Sequence, residues 1–260
     1  MRALGGLLGA VVVCALCGCG PVTTTTTTAS GDATPLAGTR TFVPAADGGR
    51  YFFEQTRRTA AAITEAVLTG SRLSRLDQAL PNQYFEIEGG ETFRFADLVA
   101  IGDLESVTEL EGHDYGPGDG DGYVVVGFDD PRADEVLAQV TMRLTRHIGE
   151  DTGSDRLTFQ IGAPARTDPE RYFASLAGLD DVVVFLHRSR DGLSRGRLFP
   201  IESRVLIGTI DPDGLLRFPA LGRDEAAYLG ELTTPARLVE AATRPPTTSP
   251  YDDLLTVPVR

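Results

Sequence analysis

The most unusual run of potential ligand residues is an acidic, glycine-rich segment from His113 to Gly122. It contains three carboxylates, Asp114, Asp119 and Asp121. Carboxylate oxygens are hard ligands of the kind that Ca²⁺ prefers, so this segment is a candidate calcium site. It lacks the bidentate Glu that completes a helix–loop–helix calcium loop, and Gly and Asp are also common turn residues. A plain loop between two strands is therefore the favoured interpretation, and we expect no other cofactor.

A second candidate is the one basic cluster in the sequence, which could bind an anion or an acidic partner. Its members are Arg188, Arg190, Arg195 and Arg197. In an acidic chain, four Arg residues in one loop more often balance local negative charge. The second interpretation is favoured, and the anion or partner site stays open as the alternative.

The segment Gly192 to Gly196 matches the G-x-S-x-G pattern of a nucleophile elbow. That elbow places its Ser on a sharp turn between a strand and a helix. Here Pro200 follows too soon for the body of a helix, and no His follows His187, although an elbow Ser is normally followed by an acid and then a His. The sequence therefore favours a loop and indicates no catalytic residue.

The three histidines of the chain are His113, His147 and His187. They are far apart and show no spacing typical of a metal site. A site built from all three would require the fold to bring them together. The sequence thus leans against an enzyme.

The beginning of the chain has one basic residue followed by an apolar run and small residues, as in a secretory signal peptide. Leu16, Cys17, Gly18 and Cys19 resemble the lipobox of bacterial lipoproteins. The resemblance implies that Cys19 receives a diacylglyceryl group, becomes the new N-terminus and carries palmitate-type acyl chains. The protein would then be anchored to the cell membrane and face the extracytoplasmic side.

Two alternatives to the lipid anchor stay open. The apolar run is shorter than the about 20 residues needed to span a membrane, so a permanent membrane span is less favoured. A plain secreted protein, with its cysteines as ordinary residues of the signal peptide, is the other alternative. All three Cys lie at or before Cys19, so cleavage there leaves no disulfide, thiolate nucleophile or Cys-ligated zinc for the folded part.

The net charge of −13 restricts the class of partner. Nucleic acid is excluded as an expected partner because phosphate binding needs basic surfaces. The expected partners are the membrane, through the lipid, and a protein or small ligand. Every basic side chain other than His is an Arg, which is typical of a GC-rich genome such as an actinobacterial one.

Composition divides the chain into successive parts. Thr23–Thr28 lie in a polar, Pro- and Gly-containing stretch with too little apolar surface to fold. The predicted parts are a signal peptide at 1–18, a flexible stalk at 19–49, a helical segment at 50–82, a β-rich domain at 83–222, and a C-terminal helical segment with a loose tail at 223–260.

Helices are expected where apolar residues recur at three- and four-residue spacing. The pattern predicts one helix from Tyr51 to about Thr69 and a second short helix before Pro81. Asp168 and Pro169 are a good N-cap and first residue for another helix that ends near Leu179. Asp224 to Ala242 reads as two helices, the second opened by Thr234 and Pro235.

Short apolar or alternating runs separated by Gly, Pro and Asp predict strands. They occur at 93–107, 123–128, 157–161, 182–187 and 204–210. The segment 211–214, Asp-Pro-Asp-Gly, predicts a tight hairpin turn. The segment 135–148 fits either a strand with one apolar face or a helix, and its β-branched residues favour the strand.

These elements predict an α+β, β-rich fold, namely a small antiparallel barrel of about six strands with helices packed at its ends. An OB-like Greek key is the specific expectation, because the strands are arranged around one short inserted helix. The favoured function is a membrane-anchored lipoprotein with a non-enzymatic binding or interaction domain. The alternatives are an extracytoplasmic hydrolase and an accessory subunit of a membrane complex. Convergent acid, His and Ser groups would favour the hydrolase, and an exposed apolar patch would favour binding.

Overall fold

The computed structural model of the chain describes residues 39–66, 73–116, 123–164, 166–189, 195–201 and 204–251. Helices in these ranges are α1 (Arg50–Ala66), α2 (Pro169–Ala177), α3 (Glu225–Leu229) and α4 (Pro235–Ala242). Strands are β1 (Gln83–Glu86), β2 (Thr92–Phe93), β3 (Leu98–Asp114), β4 (Val124–Val126), β5 (Glu135–Gly149), β6 (Arg156–Gly162), β7 (Val182–Arg188), β8 (Leu198–Pro200), β9 (Ile207–Ile210), β10 (Leu216–Arg217) and β11 (Thr247–Pro250).

Most of the strands form one large antiparallel sheet. Its order is β10-β9-β7-β3-β5-β6, with β4 beside β3 and β8 beside β7. A smaller sheet has the order β11-β1-β2. The predicted β-rich α+β class is therefore confirmed.

The ambiguous segment 135–148 is a strand, as favoured, and lies within β5. It pairs with β3 along its length and with β6 over residues 137–143, so tertiary pairing satisfies its backbone on both edges in that central part. The apolar alternation places Ala138, Val140 and Met142 in the core, where each is fully buried. The helical alternative is excluded.

β3 has different neighbours at its two ends. Residues 98–102 pair with β7, whereas residues 112–114 pair with β4. Three register shifts interrupt its ladder with β5, and such irregularities increase the local twist of a sheet. At Gly102 a Cβ would lie 1.9 Å from the carbonyl oxygen of Arg143, so only glycine allows the two strands to approach this closely. The long strand can thus curl the sheet.

The curled sheet does not close by backbone pairing. Its path ends at β10 and β6, and among the described strands no ladder joins the ends into the predicted barrel. The start of β8 still approaches β6: Arg197, which directly precedes β8, donates a hydrogen bond from Nη1 to Oε1 of Gln160 at 3.3 Å. β8 is only three residues long and ends in Pro200, which has no N–H to donate to a further ladder.

The first two helices pack against each other through aromatic side chains. The rings of Phe52 on α1 and Tyr172 on α2 have centroids 4.9 Å apart, and both residues are fully buried. The Tyr172 hydroxyl and Thr56 Oγ1 share a hydrogen bond of 3.0 Å. On the next position of α2, Phe173 contacts the ring of Phe42. This part of the core is mainly aromatic, and its buried Ser175 hydroxyl accepts the Phe52 N–H and donates to Asp47.

Local capping motifs were read correctly from the sequence. The Asp168 side chain accepts a hydrogen bond from the Arg171 N–H at the start of α2. Thr234 Oγ1 does the same for the Arg237 N–H at the start of α4. The predicted turn at 211–214 joins β9 to β10, with a hydrogen bond from Gly214 N–H to the Asp211 carbonyl. These predictions are confirmed.

Three segments differ from expectation. The strand predicted at 93–107 is divided, because Phe93 ends β2 in the smaller sheet and Leu98 begins β3, which continues to Asp114 in the large sheet. The predicted helix from Tyr51 is present as α1, but the short helix before Pro81 is a 3-10 turn over Leu76–Ala79, and 67–69 lie outside the described residues. The tail expected to be loose contains β11, which pairs in parallel with β1. The Asn82 side chain holds this segment by donating to the carbonyls of Ala241 and Arg244. Because β11 is polar and is held by a residue distant in the sequence, no local apolar pattern predicts it.

Candidate functional site

A cavity of about 380 Å³ lies on the curled sheet, where several strand ends meet. Its wall comes from the end of β3 and the residues that follow it, the start of β5, the end of β6, the β7–β8 hairpin, and Arg204 in the segment before β9. Pairing of His113 with Glu135 and of Leu137 with Gly162 places the first three of these elements side by side. The curl of the sheet brings the β7–β8 hairpin over these three elements.

An ion pair crosses the cavity wall. Arg204 Nη2 lies 3.0 Å from Oε1 of Glu135, and the Tyr115 hydroxyl donates to Oε2 of the same carboxylate at 3.0 Å. Burial, together with the neighbouring Glu135 carboxylate, raises the pKa of Tyr115. A phenol is protonated at neutral pH in any case, and the raised pKa keeps Tyr115 a donor to higher pH than an ordinary tyrosine.

Arg204 adopts a backbone conformation that is uncommon for its type. Its φ is +72°, in the left-handed region that favours glycine. Such conformations occur often at binding sites, where the surrounding structure holds them in place. Here the ion pair with Glu135 helps to stabilise the position of Arg204, whose guanidinium lies in the cavity wall.

Aromatic rings form a second part of the wall. His113 stacks on Tyr123 with ring centroids 3.7 Å apart and an angle of 17° between the planes. Tyr115 stands edge-on to this pair, 5.9 Å from the Tyr123 ring. On the β7–β8 hairpin, His187 and Phe199 are paired across the strands with centroids 6.1 Å apart. The wall thus presents rings from two separate elements.

Buried polar groups complete the site. His113, Gln160 and Ser189 are each more than nine-tenths buried, and all three line the cavity. Just behind them, Glu111 Oε1 accepts from Arg197 Nη1 at 2.7 Å and lies 3.3 Å from Nε2 of His113. The site therefore combines hydrogen-bonding groups, one internal ion pair and aromatic surfaces.

The structure describes part of the candidate calcium segment. The Asp114 carboxylate accepts the Gly116 N–H at 2.8 Å, which is a turn-forming contact. Asp119 and Asp121 lie outside the described residues. Within the described ranges, no group of three or more His, Cys, Asp or Glu side chains could hold a metal. Calcium binding by the whole segment stays a prediction.

The basic cluster is divided between separate acidic partners. Arg188 pairs with Glu150 and also donates to the Gly196 carbonyl, whereas Arg197 pairs with Glu111. Arg195 is exposed in the turn before β8, and Arg190 lies outside the described residues. The described pairs agree with a charge-balancing role, while the anion or partner site stays a prediction.

Two other sequence features can also be located. Within the G-x-S-x-G match, residues 192–194 lie outside the described ranges, and Gly196 lies in the loop that joins β7 to β8. Cys19 likewise lies outside them. In the part of the chain that the structure describes, no helix is both long and apolar enough to cross a membrane.

Sequence reasoning missed the convergence of His113 with His187 and did not single out Glu135, Gln160 or Arg204. These residues are far apart in the sequence and meet only through strand register and sheet curvature. The one local clue is that His187 ends an apolar strand run. Comparison of the chain with protein-family models, with curated proteins and with solved structures found no match.

Proposed function

We propose that this protein is an exported, lipid-anchored binding protein whose β-rich domain holds a small polar ligand in the cavity on its curled sheet. The observation that carries the proposal is the convergence of buried polar side chains and aromatic rings around a space of about 380 Å³. Ligand pockets have volumes of roughly 300–1,000 Å³ and a few well-placed polar groups on a largely apolar wall. The cavity has a volume in this range, and its wall is more polar than that of a typical ligand pocket, which suits a polar ligand.

Exposed apolar side chains next to the cavity also support binding. On the β3–β4 hairpin, Val124 is 63% exposed, Val125 is 52% exposed and Tyr115 is 45% exposed. Clustered exposed apolar residues are typical of interaction surfaces. They lie near His113 and Tyr123, which supply one of the two groups of aromatic rings in the cavity wall.

The specific fold we propose remains an OB-like barrel that lacks its closing ladder. The spatial order β6-β5-β3-β7-β8 supports this assignment. Along the chain these strands are β3, β5, β6, β7 and β8, and α2 lies between the third of them, β6, and the fourth, β7. In OB folds the ligand face lies on the second and third strands and is flanked by the loops after the first and fourth. β5 and β6 and the segments after β3 and β7 supply most of the cavity wall, which is the corresponding location.

The anchor rests on the resemblance of Leu16–Cys19 to a lipobox. Two acyl chains on Cys19 would hold the protein stably, because a single chain gives only marginal membrane binding. Mass spectrometry of the protein from its native membrane should find a diacylated N-terminal Cys19, and Cys19→Ala should release the protein from that membrane. An intact segment 1–18 in the mature protein would overturn the anchor.

The binding proposal is tested by filling the cavity. A Cβ at Gly162 would lie 2.1 Å from Glu135 Oε1 and 2.9 Å from Arg204 Nη2, so Gly162→Val crowds the ion pair and the cavity. The matched control is Gly127→Val, because nothing lies within 4 Å of a Cβ at Gly127. Thermal-shift and calorimetric screens would use neutral sugars, sugar acids, amino sugars, amino acids and nucleosides.

We expect at least one compound of the screen to bind the parent chain and Gly127→Val, and to bind Gly162→Val at least about tenfold more weakly. A ligand that binds Gly162→Val as tightly as the parent would place binding elsewhere and overturn the proposal. Absence of binding by every compound would also count against it.

A hydrolase is the second candidate, because His113, His187, Ser189 and Glu135 all line the same cavity. Convergent acid, His and Ser groups are the arrangement that acid–base or nucleophilic catalysis requires. Turnover of p-nitrophenyl esters and glycosides by the parent chain, with loss of turnover in His187→Ala, would move the assignment to a hydrolase. The binding proposal expects hydrolysis no faster than in buffer.

A further inference from the structure

We infer that the ligand of the cavity is an uncharged, hydroxyl-rich ring compound, that is, a neutral sugar unit. The inference rests on the proposed binding function and adds the chemical class of the ligand. Three features of the wall carry it: the balance of its charges, the mixture of donors and acceptors, and the aromatic rings.

The acidic and basic side chains of the wall are paired with each other. Among the described lining residues the Asp, Glu and Arg side chains are Glu135 and Arg204, and their charged atoms lie 3.0 Å apart. Behind the wall, Glu111 and Arg197 form a second pair at 2.7 Å. A ligand carboxylate that approached Arg204 would also meet Glu135, and a ligand ammonium at Glu135 would also meet Arg204. Like charges brought together in a desolvated site are costly, so the wall disfavours both signs.

The same groups suit hydroxyls. A guanidinium has five N–H donors and a carboxylate can accept about four hydrogen bonds, so the pair keeps spare donors and acceptors after its own contact. Gln160 adds an amide whose oxygen also accepts from Arg197. Tyr115 adds a phenol oxygen that can accept while its O–H bonds Glu135. A hydroxyl both donates and accepts, so several hydroxyls on one ring could use this mixture without any change in charge.

The aromatic rings suit the remaining surface of such a ring. Tyr123 is stacked on His113, and Phe199 comes from the β7–β8 hairpin. Aromatic side chains offer large apolar faces, while Tyr also keeps a polar end. A sugar ring has apolar C–H faces and a polar hydroxyl rim, and the wall offers surfaces of both kinds.

Calorimetric titration at pH 7.5 would compare methyl glycosides that share one ring but differ in charge. For glucose, galactose and mannose, each neutral glycoside is paired with its uronic acid and with its 6-amino-6-deoxy derivative. We expect a neutral glycoside to bind the parent chain at least about tenfold more tightly than both of its charged derivatives.

Single charge-removing variants test the reason for that preference. Glu135→Gln leaves the Arg204 guanidinium without its carboxylate, so affinity should shift by about tenfold toward the uronic acid relative to the neutral glycoside. Arg204→Gln should shift affinity toward the amino derivative instead. Circular dichroism and a thermal unfolding curve establish that each variant is folded, and the two opposite shifts serve as controls for each other.

A charged derivative that binds the parent chain as tightly as the neutral glycoside would overturn the inference. It would also be overturned if the screen yielded only an amino acid, nucleoside or organic acid. If binding of that compound is weakened by Gly162→Val, the proposed binding function stands while the ligand class falls. Binding that is insensitive to Gly162→Val counts against the proposed function itself.

Discussion

Two tyrosines have contrasting surroundings, one in the core beneath α1 and α2, which we call the helix-covered core, and one at the cavity. Tyr172 is fully buried between α1 and α2, and its hydroxyl has one neutral partner, Thr56. Tyr115 is 45% exposed at the cavity, and its hydroxyl bonds the ion-paired carboxylate of Glu135. The first environment is fully buried and packed for stability, and the charge that acts on the Tyr172 hydroxyl is the guanidinium of Arg204. The second gathers polar and charged groups around an open space, which is an arrangement suited to a ligand.

The largest expected difference between the regions comes from removing a ring. Phe173→Ala in the helix-covered core should lower the free energy of unfolding by about 3–5 kcal/mol, because it leaves a cavity among fully buried side chains. Phe199→Ala in the wall of the existing cavity should cost clearly less stability and should weaken ligand binding. Chemical denaturation measures both changes, and equal losses would contradict the contrast.

Alkaline pH provides the next largest effect. Burial raises the pKa of Tyr172 from 10.0 to about 12, so its neutral form is favoured in the folded protein. The resulting stability is fully present below pH 10 and is lost as the pH rises toward 12, and it amounts to about 2–3 kcal/mol.

Tyr172→Phe should remove most of this loss between pH 10 and 12, at a cost of about 1 kcal/mol at pH 7 for the missing hydrogen bond to Thr56. Unfolding curves in denaturant across that pH range measure both quantities. An unchanged alkaline slope in the variant would mean that Tyr172 does not contribute to it.

The smallest effect is expected at the cavity. Tyr115→Phe removes one hydrogen bond from a half-exposed hydroxyl to Glu135, so unfolding at pH 7 should change by less than about 1 kcal/mol. Its effect on the alkaline slope should be smaller than that of Tyr172→Phe because solvent screens the exposed group. Loss of ligand affinity without loss of stability would be the expected outcome at a binding surface.

The contrast also explains what the sequence could predict. Asp168 before Pro169, and Thr234 before Pro235, act on N–H groups three residues away, so these helix starts could be read locally. The strand at 135–148 followed from the alternation of its apolar residues. Each of these predictions depends on neighbours within a few positions.

The site could not be predicted in the same way. Glu135 and Arg204 are paired across 69 residues, and His113 meets the β7–β8 hairpin only because β3 is long and the sheet curls. The strand β11 is polar, and its position depends on the side chain of Asn82. Asn82 lies 159 residues before Ala241, a residue shortly before β11 whose carbonyl it binds. Register and curvature are tertiary properties, and they leave little periodic pattern in the local sequence.

The most direct test of the account is amide chemical-shift mapping while the tightest ligand of the screen is titrated into the isotopically labelled chain. If the cavity holds the ligand, the perturbed amides are those of the cavity wall, centred on His113, Gly162, His187 and Phe199. Perturbations centred on α1 and α2 instead, with the cavity wall unchanged, would contradict it.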